Sequence, residues 1–378
     1  MIELADIFRR FGGDYLDKYG NSILYSHQRA IDAITNCRTE SLGGHLYGCT
    51  KCDTQIFAYH SCKNRHCPKC HTGQTTRWLE QRQTEMLPTP YFHITATIPE
   101  SLRTIFRSNQ EDCYAILMRA TADAILELAR DPKHIGGTVG ILMLLHTWTG
   151  QLIFHPHAHC LVTAGGISND GHTWSPARPG FLIPSRPLSR LIRGKVMTAI
   201  KKKRPDIILP ENAWRQEWVV KCLPWEAGEK GILNYLARYA YRIAITNRRI
   251  LAIDQDTVTF SYKDRKKRRW RKCQVSGEEF MRRFLQHVLP GGFHKIRYFG
   301  LWHHTKRNIA KQIRVSLELE QTLPDKMPTE EQKPDQDHQA QGSSKIYPDA
   351  VCPACKCGQL IILKKLPKRF ATLTSGGP

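Results

Sequence analysis

Gln151-Leu-Ile-Phe-His155-Pro-His157-Ala-His159-Cys-Leu-Val-Thr163 is the stretch whose reading decides the fold. It mixes histidines with β-prone apolar residues and stops at Gly165-Gly166, the pattern of a buried strand ended by glycine. Side chains on a strand alternate between faces, so Gln151, His155, His157 and His159 share one parity. Pro156 has no N–H for a ladder, which confines the part before it to an edge, a strand entry or a bulge. Two imidazoles two residues apart, with a side-chain oxygen on the same parity, form a ligand set for a divalent metal: His157, His159 and Gln151. The alternative is a pair of core histidines satisfied by hydrogen bonds.

Neighbouring segments extend this strand into a sheet. Gly136–Trp148 reads as a second strand, joined to the first through Thr149-Gly150 as a hairpin. Tyr91–Ile98 alternates as a third, closed by Pro99. Ser101–Arg130 places Leu102, Ile105, Ile116, Leu117, Ala124, Ile125 and Leu128 on one helical face. Antiparallel strands with helices packed on them make an α+β architecture. Further on, residues 245–275 look like a β-hairpin region, Glu278–Leu289 an amphipathic helix, and Phe293–Leu301 a strand.

Lys and Arg number 56 against 34 Asp and Glu, a formal charge of +22 in 378 residues. A surplus of that size calls for a polyanionic partner, by default nucleic acid. The start Met1-Ile-Glu-Leu-Ala-Asp carries acids where a secretory leader has bases. The longest apolar run, near Ile141–Leu145, is too short for a bilayer, so no membrane role and a cytoplasmic location are expected.

Six of the 13 cysteines fall in CxxC pairs, which fits zinc thiolates in a reducing compartment. Cys49-Thr-Lys-Cys52 and Cys67-Pro-Lys-Cys70 supply four soft ligands for one structural zinc. Cys37, His45, Cys62 and His66 lie beside them and form a candidate second site. Lys51, Lys63, Arg65 and Lys69 stud the knuckles and suit contact with DNA. The segment 1–36 reads as a pair of packing helices.

Gly231–Arg242 reads as helix, with Tyr235 and Tyr239 one turn apart on one face and Arg238 and Arg242 beside them. Lys201-Lys-Lys-Arg204 ends another helix and is either a solvated end or a backbone clamp. Lys266, Lys267, Arg268 and Arg269 precede Trp270, a basic run with an aromatic that suits single-strand contact. These features divide the chain into an N-terminal helical and zinc-binding domain (1–86), a sheet domain (87–315), a disordered linker (316–350) and a zinc-ribbon-like tail (351–378). In the tail, Cys352-Pro-Ala-Cys355-Lys-Cys357 looks like half of a zinc ribbon: with three local cysteines, either a ligand comes from elsewhere or the site is degenerate.

Ser61-Cys-Lys-Asn-Arg-His-Cys-Pro-Lys-Cys70, Leu87-Pro-Thr-Pro-Tyr-Phe-His93, His155-Pro-His-Ala-His159, Tyr235-Leu-Ala-Arg-Tyr239 and His287-Val-Leu-Pro-Gly-Gly-Phe-His-Lys-Ile-Arg297 occur in that order. In this set the chain resembles the two-tyrosine HUH transposases of rolling-circle insertion sequences, with their N-terminal zinc-binding domain. The resemblance implies an HUH-type central antiparallel sheet flanked by helices and preceded by a small zinc-binding domain. It implies a nuclease-ligase in which His157 and His159 match the metal pair and Tyr235 and Tyr239 the nucleophiles. The family often places His-Thr-Trp-Gly-Gln before the histidine strand; here His146-Thr-Trp-Thr-Gly-Gln151 is longer by one residue.

On this reading Mg²⁺ or Mn²⁺ serves cleavage and Zn²⁺ serves folding. The partners are single-stranded DNA, the hairpins at insertion-sequence ends, and target DNA. The rival readings are a zinc-dependent DNA-binding protein without nuclease activity, a rolling-circle replication initiator or relaxase, and a hydrolytic zinc nuclease that leaves no covalent adduct.

Overall fold

The computed structural model describes residues 1–70, 78, 80, 82–225, 231, 244–264, 267–322 and 350–369. Helix α1 (Leu4–Tyr19) buries Leu4, Ala5, Ile7 and Phe8, and α2 (Tyr25–Thr35) buries Ala30, Ile31 and Ile34. At the start of α1, Asp6 accepts the Glu3 N–H at 2.8 Å, which satisfies one donor that a helix end leaves open. A short hairpin follows, β1 (Gly44–Cys49) and β2 (Gln55–Tyr59).

The main sheet begins with β3 (Tyr91–Thr97). Then come α3 (Arg103–Ser108) and α4 (Gln110–Arg130). The single helix expected over 101–130 is broken at Asn109, whose ψ of 50° leaves the helical region. The Asn109 amide donates back to Ile105 O at 3.0 Å. The hairpin of β4 (Thr138–Trp148) and β5 (Phe154–Ile167) is the centre of the sheet, with β6 (Trp174–Pro176) on the far end of β5. Helices α5 (Ser185–Lys203) and α6 (Glu211–Arg215) lead to β7 (Val219–Pro224).

Strands β8 (Ile250–Ile253), β9 (Thr257–Asp264) and β10 (Arg269–Ser276) make a separate three-stranded sheet. Helix α7 (Gly277–Leu285) is capped by Ser276, whose Oγ accepts the Glu279 N–H at 3.1 Å. Strand β11 (Ile296–Gly300), helix α8 (Arg307–Thr322) and β12 (Leu360–Leu366) complete the order. The main sheet runs β11-β4-β5-β3-β7, each neighbouring pair antiparallel. It is the α+β layer architecture expected from the strand pattern.

Two faces of this sheet do different work. Ile141, Met143 and Leu145 of β4, Ala158, Cys160 and Val162 of β5, and Phe92, Ile94 and Ala96 of β3 join the core beneath α4 and α5. Because the alternate residues are covered too, β4 is apolar almost throughout. Leu142, Leu144, Leu161 and Tyr91 pack on the opposite face with Trp225, Ile296, Tyr298 and Trp302. The histidines emerge on that second face.

The expected boundary between an N-terminal domain and a sheet domain is not a packing boundary. Leu4, Ile7 and Phe8 share one core with Val258, Phe260, Phe280 and Phe284. Phe8 and Phe284 meet edge to face at 5.4 Å. A Cβ at Gly277 would lie 2.3 Å from the Phe11 ring, so α7 can approach α1 only with glycine there. The tail is likewise not separate: β12 pairs with β1 from Gly44↔Leu366 to Cys49↔Leu360. The expected linker, 316–350, lies almost wholly outside the described residues apart from the end of α8.

A histidine cluster and two cysteine tetrads

His146, His157 and His159 bring ring nitrogens within 4.8 Å of one another. His146 stands opposite His157 in the β4–β5 ladder, and Leu144 stands opposite His159. Just beyond, Trp148 pairs with Phe154, so His155 and Pro156 together face the single residue Thr147. That is a β-bulge, placed where proline cannot donate to the ladder. His155 meets Arg103 of α3, at 3.2 Å between Nη2 and Nδ1, and lies outside the three-histidine group.

Gln151 is displaced further. The hairpin turns through residues 149–152, with Leu152 N–H donating to Thr149 O at 3.1 Å and Leu152 at a φ of 61°. Gln151 therefore lies past the start of β5 at Phe154, which is itself roughly 10 Å from His157 at the rise of a strand. Its carbonyl accepts from Arg283 at 3.2 Å. The turn carries Gln151, expected as the third ligand, off the strand, and His146 stands at the third corner of the histidine cluster.

The far sides of the imidazoles are oriented. His157 Nδ1 lies 2.7 Å from the His155 carbonyl, which can only accept, so Nδ1 carries the proton and Nε2 is an acceptor. His159 Nδ1 is 2.9 Å from Nε2 of His93 on β3, and the two rings stack at 5.1 Å. Burial lowers the His93 pKa to about 4 and lowers that of His155, the latter assisted by Arg103. Behind the turn, buried His287 bridges Thr147 Oγ1 (3.2 Å) and Leu152 O (3.0 Å) and holds the hairpin's shape. Three converging nitrogens, with the rings of His157 and His159 held by outward partners, fit a divalent metal.

The cysteines regroup. One tetrad is Cys37, Cys62, Cys67 and Cys70; the other is Cys49, Cys52, Cys352 and Cys355. Sγ separations of 3.5 and 3.6 Å in the first and 3.6 and 3.8 Å in the second match the ~3.8 Å edge of a tetrahedron with 2.3 Å Zn–S bonds. They are far too long for the ~2.05 Å of a disulfide. The single site expected from Cys49, Cys52, Cys67 and Cys70 does not form. Cys49 and Cys52 flank the tip of the β1–β2 hairpin, while Cys37 and Cys62 flank its base. Five residues of strand separate the two by roughly 17 Å.

The expected second site, Cys37, His45, Cys62 and His66, keeps its cysteines and loses both histidines. His45 packs edge to face on His60 at 5.1 Å. His66 Nε2 accepts the Leu289 N–H at 3.2 Å, and Arg65 donates to Phe293 O, so this knuckle docks on the sheet domain. Lys69 pairs with Glu3 at 2.6 Å. Backbone N–H groups point at Cys62 (3.5 Å), Cys49 (3.3 Å) and Cys355 (3.3 Å), which favours thiolates. The N–H groups of Cys357 and Gly358 pull Cys355 down to about 6.

Tyr235, Tyr239, Arg238, Arg242 and Lys266 lie outside the described residues. The flanks of the tyrosine segment are described. On one side, Trp225 donates its N–H to Tyr91 O at 2.8 Å and sets its indole against His93 at 6.0 Å. On the other, Ala244 and Ile245 are buried with Leu152, and Arg249 donates to Gly150 O. Lys267, Arg268 and Arg269 stand exposed at the β9–β10 turn, and Gly150 lies against Tyr262 of β9. An open groove of about 320 Å³ beside the start of β5 is lined by Arg103, Arg107, Arg282 and Arg283, with Glu279 held by the last two.

Residues 140–309 match the family model described as "Putative transposase", and residues 7–98 match the transposase zinc-binding domain. The chain is 38% identical to "Putative transposase y4qJ" of Sinorhizobium fredii over 96% of its length and 95% of that protein's. The chain belongs to the IS91/IS801 family of transposases. It is also 28% identical to the transposase for insertion sequence element IS801 of Pseudomonas savastanoi pv. phaseolicola, over 71% of this chain and 69% of that one. No solved structure matches. Membership implies a DNA-cleaving enzyme of a mobile element, and the zinc-binding domain agrees with the cysteine tetrads as structural Zn²⁺ sites. Among the described residues no helix is long and apolar enough to cross a membrane.

Proposed function

We propose that this transposase nicks and rejoins single-stranded DNA at insertion-sequence ends through a 5′-phosphotyrosine on Tyr235 or Tyr239, driving rolling-circle transposition. His146, His157 and His159 would hold the Mg²⁺ or Mn²⁺ for cleavage. The observation that carries this reading is the three-histidine cluster on the sheet face where Trp225, on one flank of the tyrosine segment, packs against His93, while the other flank, Ala244 and Ile245, is buried in the core that holds Leu152 of the β4–β5 turn. Such a cation, when bound, polarises a phosphodiester and offsets the charge that develops on it.

The chain's own groups supply the rest. His93 and the His155 carbonyl fix the orientation of His159 and His157. A tyrosine hydroxyl attacks phosphorus, the bond from phosphorus to the 3′ oxygen breaks, and a 3′-OH leaves. The phenolic proton goes to solvent and the departing oxygen takes one up. Attack by a 3′-OH reverses the step and rejoins strands without ATP. Lys221 is exposed on β7, paired through Thr95 to His159, and suits a backbone phosphate on the same face. The arginine groove and Lys267, Arg268 and Arg269 give further phosphate contacts, in line with the charge of +22.

A denaturing-gel assay with end-labelled single-stranded DNA and Mn²⁺ tests the nucleophiles. Tyr235→Phe and Tyr239→Phe should each keep some covalent adduct while transfer between two ends falls sharply. The double variant should form none. Wild-type cleavage by the double variant would remove tyrosine from the mechanism and leave a hydrolytic nuclease or another nucleophile.

His93 is a positioning residue on this account. His93→Ala should slow single-turnover cleavage about 10–100-fold and weaken Mn²⁺ binding by a similar factor, the usual cost of removing a group behind a metal ligand. His93→Gln, which can still bond to His159 Nδ1, should recover part of both. An unchanged Mn²⁺ affinity in His93→Ala would assign His93 to packing alone.

A further inference from the structure

Cys352 and Cys355 lie outside both family matches, which end at residues 98 and 309. They nonetheless close a tetrad with Cys49 and Cys52 across sequence separations of 300 and 306 residues. We propose that this tetrad holds a second zinc that clasps the C-terminal segment, residues 350–369, to the N-terminal module, and that the docking depends on the metal.

Among the described residues the junction has little else to hold it. Its buried core is Tyr47, Cys352 and Leu360, with Ile56, Ala58 and Ala350 partly buried around the tetrad. Ile361, Ile362 and Leu363 on β12 are 46–51% exposed, so the strand buries little apolar surface in docking. The ion pair Arg369–Glu40 is 3.1 Å long with side chains 79% and 65% exposed, and such pairs contribute little. What remains is the β1–β12 ladder, with Thr50 N–H to Gln359 O at 2.9 Å and Gln359 N–H to Thr50 Oγ1 at 3.0 Å. A single added strand with so small a core gives little to set against the entropy of ordering residues 350–369. A tetrahedral thiolate site offsets it, because metal binding free energy becomes folding free energy.

The contact is also shaped for this segment. A Cβ at Gly358 would lie 2.3 Å from Cys49 Sγ. At Gly48 it would lie 2.6 Å from the Leu363 side chain, and at Gly43 it would lie 2.6 Å from Leu366 O. Three glycines therefore leave the room that the C-terminal segment occupies. The two tetrads also differ in setting. Cys37 and Cys67 are fully buried inside the core shared with α1, α2 and α7. Cys62 and Cys70 beside them are half-buried, whereas in the second tetrad Cys352 alone is buried and Cys49, Cys52 and Cys355 are half-buried. A chelator should therefore empty the clasp first.

The test uses the full chain with a specific protease site inserted within 323–349. Metal analysis should give two zincs per chain in the wild type and in Cys357→Ser, whose thiol is near the site but outside the tetrad. After cleavage the C-terminal fragment should co-elute with the body on gel filtration. Mild chelation should release the fragment together with about one zinc, and the chain with Cys352→Ser and Cys355→Ser should hold one zinc and lose the fragment on cleavage. One zinc per wild-type chain would overturn the site. A fragment that stays bound after its zinc is removed would overturn the clasp. Because chelation is applied to the wild-type protein, misfolding of the serine variant leaves the outcome readable.

Discussion

His157→Ala is expected to abolish strand cleavage, with a fall of at least about 10³-fold, while binding of single-stranded DNA persists. A metal-assisted phosphodiester step draws several kcal/mol from the cation, and about 4 kcal/mol is a thousandfold in rate. His157 donates to the backbone of the next bulge residue but one and is only half-buried, so its loss leaves the strand pairing with His146 and Thr97 in place. His146→Ala should behave alike. Gln151→Ala should cleave near the wild-type rate, because its place in the turn removes it from the cluster. Single-turnover cleavage in saturating Mn²⁺, beside a filter-binding assay, measures both quantities. Full activity in His146→Ala with loss in Gln151→Ala would return the third ligand to the glutamine.

The second large effect is on folding. Cys37→Ser or Cys67→Ser should leave the N-terminal lobe unfolded at 25 °C. Both thiols are fully buried in the core that joins α1 and α2 to β8, β9 and α7. Structural zinc binds zinc-finger peptides with about 10–16 kcal/mol, as much as the whole stability of a typical domain. Losing one thiolate also strands a buried ion site among apolar groups. Cys52→Ser, in the half-exposed tetrad, should cost one zinc and leave the helical lobe folded. Circular dichroism melts with zinc analysis separate the two. A Cys37→Ser protein that melts like the wild type would remove the first tetrad as a folding element.

These variants also mark what the sequence could and could not reveal. The strands, the β4–β5 hairpin and the alternation of His157 and His159 were legible because each depends on local periodicity. His146 was not legible as a partner. A two-residue turn at Thr149-Gly150 would set one register, whereas the longer turn and the bulge at Pro156 set another that places His146 against His157. His155 and Gln151 shared a parity in sequence, and the same bulge and turn removed them from the cluster. Pro156 was the one signal that the ladder would be irregular there.

The cysteine pairing was hidden for a different reason. Two CxxC motifs 14 residues apart look like one site, and only the hairpin of β1 and β2 shows that they point to opposite ends. The partner of the first is about 300 residues away, a distance that spacing rules do not reach. The three local cysteines near residue 355 carried part of the clue, since a half-ribbon either draws a ligand from elsewhere or is degenerate. His66 and Arg65 looked like a ligand and a DNA contact, and both are used in docking the knuckle to residues 289–293.

The central claim is a protein–DNA phosphodiester made beside the histidine cluster, and the most direct measurement maps the link itself. The wild-type protein is incubated with single-stranded DNA carrying an insertion-sequence end and Mn²⁺, digested with nuclease and protease, and read by mass spectrometry. The expected result is a 5′-phosphonucleotide on Tyr235 or Tyr239, absent when His157→Ala replaces the wild type. Cleaved DNA with no protein adduct, or an adduct on a residue outside 235–239, contradicts the account.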